Sequence, residues 1–181
     1  MTHFEYISVA LSLVFALVLS RLLGAVPSAL QPDRRYWIHA VWVFNMLGLA
    51  TLSWWATWGA RTASWTALAF LLNLAIPGIM YVRSTILVTT DPSAVSSWRT
   101  HFYESRVRFF GVGVLGCANS IAAPLVKGTH WSADSVLVPA AFALPLLVGM
   151  ASDREWVHAA LSVGGAIVIL GVLLFSNMAA A

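Results

Sequence analysis

The sequence predicts an all-α, polytopic membrane protein with six transmembrane helices, and three observations carry that reading. Of its 181 residues, 60% are hydrophobic and only 9% are charged. A typical soluble domain has about 25% charged residues, so this chain has too few to cover a water-facing surface. Its apolar residues fall in runs of about twenty, the length a helix needs to cross a bilayer, and not in the alternating segments of about ten that build a membrane barrel. The longest gap between runs, from Thr89 to about Arg106, leaves no room for a soluble domain. Residues 1–181 are therefore read as one six-helix transmembrane domain.

The first run, Phe4 to Gly24, places Ser8, Ser12, Ala16, Ser20 and Gly24 at four-residue spacing, a side on which a neighbouring backbone could approach closely. It lacks a basic start and is over twenty residues long. This predicts a retained span and not a signal peptide, despite the faint A-x-A pattern of Ala25–Ala29. Pro27 and Pro32 are expected to end it ahead of Asp33-Arg34-Arg35. The second run, Tyr36 to Trp58, carries His39 and Asn45. After a turn holding Arg61, the third run, Trp65 to about Val88, carries Asn73 and Arg83 and is expected to break at Pro77-Gly78.

Between Asp91 and Arg108 the character is mixed. Asp91 suits an N-cap with Pro92 in the first turn. Val95, Trp98 and Phe102 fall on one side and basic residues elsewhere, which predicts a short helix lying at the membrane interface before the fourth span. The fourth run, Val107 to Val126, is rich in small residues (Gly111, Gly113, Gly116, Ala118, Ser120, Ala122, Ala123) and is expected inside the bundle. The fifth, Ser135 to Ala151, holds Pro139 and Pro145. The sixth, Trp156 to Phe175, follows the tight turn Ser152-Asp153-Arg154-Glu155.

Arg34, Arg35, Arg99, Arg106 and Arg154 lie in the loops after the first, third and fifth runs, whereas the other side holds only Arg61 and Lys127. The positive-inside rule then places those loops in the cytoplasm of a bacterial inner membrane and both termini outside it. Trp37, Trp98 and Trp156 are expected at the inner interface, and Trp54, Trp55, Trp58, Trp65 and Trp131 at the outer one.

The pattern Phe4-Glu5-Tyr6-x-Ser8-Val9-x-x-Ser12, followed by Trp54-Trp55, Phe102-Tyr103 and Arg106-x-Arg108-Phe109-Phe110, resembles a family of small bacterial six-span membrane proteins without an assigned activity. The resemblance covers about the first two thirds of the chain. It implies membrane topology and bacterial origin and nothing catalytic.

Ionisable groups inside a bilayer are costly and hence candidates for function. Glu5 reads either as an interfacial acid favoured by its helix dipole or as the mouth of a proton or cation path, with Lys127, Arg61 or His130 as partner. Arg21 could snorkel to the interface. Alternatively, Arg21, His39, Arg83 and His158 converge into a basic inner vestibule for an anion, an acidic lipid headgroup or a carboxylate substrate. Asn45, Asn73 and Asn119 fall near the midplane of three helices, either as interhelical hydrogen-bonding residues or as a polar site beside a broken helix.

What is missing narrows the field. Cys117 is the sole cysteine, which excludes a disulfide framework and thiolate metal sites. Neither H-E-x-x-H, G-x-S-x-G nor a phosphate loop occurs. The five histidines are scattered, so no metal and no cofactor is expected, and no basic face suits nucleic acid. The first reading is thus a channel or transporter, assembled as an oligomer, whose path is lined by the asparagine set and the inner Arg and His groups. The second is a non-catalytic subunit or scaffold binding another membrane protein or lipid. An intramembrane enzyme using Glu5, or His39 with His158, is a weaker third.

Overall fold

A computed structural model describes residues 3–61, 65–127 and 133–178. Six α-helices carry the fold: α1 (His3–Ala29), α2 (Trp37–Ala56), α3 (Ala67–Leu87), α4 (Trp98–Lys127), α5 (Ala133–Ala151) and α6 (Glu155–Met178), with short 3-10 turns at Thr57–Ala60 and Pro92–Ala94. No strand occurs among the described residues. Three segments are long and apolar enough to cross a membrane, Phe4–Ala29, Ala67–Ala94 and Glu155–Phe175, and Ser135–Ala151 is apolar but shorter. These mark the chain as a membrane-associated, all-helical protein. His130 and Trp131 lie outside the described residues, as does the side chain of Lys127.

α1 buries Ile7, Leu11, Phe15, Val18, Leu22, Ala25 and Ala29, a stripe at three- and four-residue intervals that packs on α2 and α3. The small-residue side expected to pack does so only in part: Ser8 and Ser12 are half-buried, Ser12 accepting from the Trp54 indole of α2 (3.1 Å), while Ala16, Ser20 and Gly24 are exposed, and a Cβ added at Gly24 would meet nothing. Large side chains bury more apolar area per helical turn, so they claim the contact. The helix also passes Pro27 and ends at Ala29, where the Trp98 indole donates to the Ser28 carbonyl (2.8 Å).

Two expected breaks are absent. α3 runs unbroken through Pro77, because the proline is buried against neighbouring helices that hold the turn in place. Nor is there a separate interfacial helix before the fourth span. Asp91 caps only the single turn Pro92–Ala94, accepting from the Ser93 N–H (3.0 Å), and Trp98 to Lys127 is one continuous helix. Its N-terminal turns are core: Trp98, Phe102, Phe109 and Phe110 are each at most 1% exposed. Trp98 is thus no interfacial anchor, whereas Trp37, Trp54, Trp55, Trp58 and Trp156 are exposed.

The loops after α1, α3 and α5 meet at one end of the bundle. Arg34 donates to the carbonyls of Ser93 (3.2 Å) and Val95 (3.0 Å). Arg99 pairs with Glu155 (3.1 Å) and Arg106 pairs with Asp153. α2 packs on α1 and α6, while α4 lies between α3 and α5. α5 and α6, although consecutive, touch little.

Candidate functional site

Most of the inner basic groups are used at helix ends. A helix leaves its last carbonyls without backbone donors, and α3 has no basic residue of its own in its last turn. Three other helices supply the donors. The His39 and His101 Nε2 atoms both lie within hydrogen-bond distance of the Leu87 carbonyl (3.0 and 3.1 Å), and Arg21 donates to the Val88 carbonyl (2.8 Å). The His39 ring stacks on Trp98 with centroids 4.5 Å apart, which fixes its orientation. His158 repeats the device at the end of α5, its Nε2 2.9 Å from the Ser152 carbonyl, with its ring stacked on Phe110. A carbonyl only accepts, so each Nε2 carries the proton. Arg21 and His39 are thus brought together, at adjacent carbonyls, while His158 serves a different helix end.

The asparagines do not share one site. Asn45 is buried and donates to the Ser162 carbonyl of α6 (2.8 Å), across a contact open only because position 165 is glycine: a Cβ there would stand 3.0 Å from the Asn45 Nδ2. Asn73 donates to Ala69 one turn back in its own helix (2.7 Å). Asn119 donates to the Leu72 carbonyl of α3 (3.1 Å). Glu5 lies exposed in the first turn of α1, away from the others.

Arg83 is different. It is 6% exposed, about one helical turn inside the end of α3, and its guanidinium carbon sits 4.5 Å from the centre of the Phe109 ring. On the α4 side, Gly113 makes the space: a Cβ there would lie 3.1 Å from that carbon. Among the described residues no hydrogen bond or ion pair reaches the guanidinium, and its Nε is buried without a partner. Arg83 and Asn45 line a cavity of about 550 Å³ walled by α2, α3, α4, α5 and α6, within the range of about 300–1,000 Å³ typical of small-molecule sites. The lining is otherwise nearly all apolar, contains no Asp or Glu among the described residues, and includes the half-buried Cys117. It also includes Trp42, whose indole N–H is buried with no hydrogen bond.

Of the eight residues singled out from the sequence, Asn45 and Arg83 thus share the cavity; Asn73, Asn119, Arg21, His39, His158 and Glu5 do not line it. Trp42, Gly113 and His101 were missed. Trp42 carried no one-dimensional signal, Gly113 was legible only as one of the small residues expected inside the bundle, and His101 sits one turn after Trp98 in the mixed segment and could have been paired with His39 by depth.

Fold and site together define a helical membrane-associated protein with a partly open, largely apolar cavity that has a buried cation, Arg83, on its wall. The chain matches no family model, no curated protein and no solved structure.

Proposed function

We propose that all six helices cross a bacterial inner membrane, with both termini on the outer side, and that the protein is of transporter type, holding a solute in the cavity between α2 and α6. The observation that carries this is the cavity of about 550 Å³ with Arg83 on its wall. A scaffold needs no such space, because transmembrane interfaces gain from close packing and lose contacts at a void. The meeting of the arginine-bearing loops at one end supports the orientation. At 19 residues, α5 is about 28 Å long, close to the roughly 30 Å hydrocarbon core. Asn45 and Asn119 serve here as interhelical donors, Asn73 as a donor within its own helix, and Arg21, His39 and His158 as helix-end donors.

Flux into proteoliposomes tests the reading, with chloride and short carboxylates as probes. Movement above that of protein-free vesicles, reduced in Arg83→Gln, is the expected result. No movement of any probe, together with co-purification of a fixed partner, refutes it. Reporter fusions at either chain end should read outside the cytoplasm; a cytoplasmic reading refutes the orientation. The second reading, a subunit that binds another membrane protein or a second copy, is favoured by the exposed, unpacked face of Ala16, Ser20 and Gly24 on α1.

A further inference from the structure

We infer that the cavity binds a single-chain lipid anion: one carboxylate or phosphate on Arg83 and one aliphatic tail along α5 and α6. The inference rests on the solute site proposed above. Four features support it. The cavity contains a permanent cation, since arginine does not give up its proton, and among the described residues no acidic side chain lines it to neutralise that charge. The Phe109 face satisfies the guanidinium only in part, and its N–H groups have no acceptor among the described residues. The Trp42 indole, a second buried donor without a partner, lies against the same Phe109 ring, centroids 5.5 Å apart. Two unmet donors around one aromatic ring ask for an acceptor that no described residue supplies, and an anionic headgroup has several.

The rest of the cavity describes the remainder of the ligand. Val138, Phe142 and Leu146 of α5 and Leu161, Val168 and Ile169 of α6 face it, an apolar wall that a free inorganic anion would leave unused. The chemistry therefore calls for an amphipathic molecule with a single anionic headgroup. α5 and α6 touch little while both line the cavity. The seam between them gives a tail a lateral route from the bilayer, so the headgroup need not pass through the apolar lining from the water.

Equilibrium dialysis of the purified full-length protein in a non-ionic detergent tests this, with native mass spectrometry for stoichiometry. The probes are oleate, oleoyl lysophosphatidate, oleyl alcohol and acetate. Expected are one saturable equivalent of oleate or lysophosphatidate, binding at least tenfold weaker for both oleyl alcohol and acetate, and at least a tenfold loss in Arg83→Gln. Tighter binding of oleate assigns a carboxylate headgroup, tighter binding of lysophosphatidate a phosphate. Val138→Trp, which fills the apolar wall and leaves Arg83 in place, should weaken binding as well. Arg83→Lys should retain more affinity than Arg83→Gln, and the exposed Arg35→Gln should bind like wild type. Equal binding of oleyl alcohol, or of acetate, overturns the inference, as does Arg83→Gln binding like wild type. If Arg83→Gln does not fold, the alcohol and acetate comparisons on the unaltered protein and the Val138→Trp result still decide. Oleate binding without flux removes transport and leaves this inference standing; flux of small anions with no oleate binding does the reverse.

Discussion

A buried guanidinium without an internal partner should be a liability to the fold, and Arg83→Met measures how large. An arginine at the centre of a transmembrane helix costs about 2.5–3.5 kcal/mol on insertion scales, an upper bound for Arg83, which stands about one turn inside the end of α3. The Phe109 face, 4.5 Å from the guanidinium carbon, returns about 2 kcal/mol if fully desolvated, leaving roughly 1 kcal/mol uncompensated. Methionine removes the charge and adds up to about 1.5 kcal/mol of apolar burial, and its flexible thioether suits an irregular cavity wall. Together these give a stabilisation of about 1–2.5 kcal/mol, or a rise in Tm of roughly 2–10 °C at about 2–4 °C per kcal/mol for a chain of this size. The assay is thermal unfolding of detergent-solubilised protein followed by tryptophan emission, run without added lipid. The same variant should lose oleate binding, separating stability from function in the direction expected at a strained site. A fall in Tm of similar size would falsify the reasoning, because it would mean that the protein itself satisfies the guanidinium.

Other residues give predictions of opposite sign. His39→Phe keeps the stack on Trp98 but removes one of two imidazole donors at the Leu87 carbonyl; it should destabilise by about 1 kcal/mol, and an unchanged melting temperature would remove His39 from the helix end. Asn45→Ala should cost about 0.6–2 kcal/mol through the lost bond to the Ser162 carbonyl, read in the same melt. Gly149→Ala places a methyl 2.8 Å from the Phe110 ring, which is packed on every side, so overpacking should cost about 1–3 kcal/mol; a neutral result would show that the α4–α5 contact is loose. Asp91 gives a pH dependence. The Ser93 hydroxyl and N–H hold its carboxyl below its ordinary value. Its contribution is therefore present above the usual aspartate pKa of about 3.9 and lost as pH falls through the lower folded value. Unfolding of wild type and Asp91→Ala should converge at the acid end, and a constant gap down to acid pH would contradict the assignment.

What the sequence made legible is what one dimension can encode. Apolar runs of membrane length located all six helices, and the arginines marked the end of the bundle that the structure draws together through Arg34 of a loop and through Arg99 and Arg106, which stand in the first turns of α4 and not in the loop expected. Helix continuity was less legible. Whether Pro77 or the charged start of α4 breaks a helix depends on neighbours that hold the turn, and those are tertiary. Facing was the least legible. On α1 the regular small-residue stripe suggested one packing side, yet Leu11, Phe15, Val18 and Leu22 on another side took it. The depth of Arg21, His39, Arg83 and His158 could be counted from the run ends; their roles could not, since a role depends on which carbonyl stands opposite.

That dependence is what singles out Arg83. Carbonyls open to a side chain occur at the C-terminal ends of helices, where no following turn supplies N–H groups and the dipole is negative. Arg21, His39 and His158 each reach such an end, at Val88, Leu87 and Ser152, so each has at least one nitrogen bonded to the fold, which Arg83 lacks. The Arg83 guanidinium instead faces the α4 helix at Gly113, where backbone carbonyls are engaged in the i to i−4 ladder and none is free to accept. Glycine there brings the two helices close enough to enclose the cation but offers it nothing to bond. Fold requirements thus account for three of the four inner basic residues and leave the fourth, the one on the cavity wall, to be accounted for by what the cavity holds.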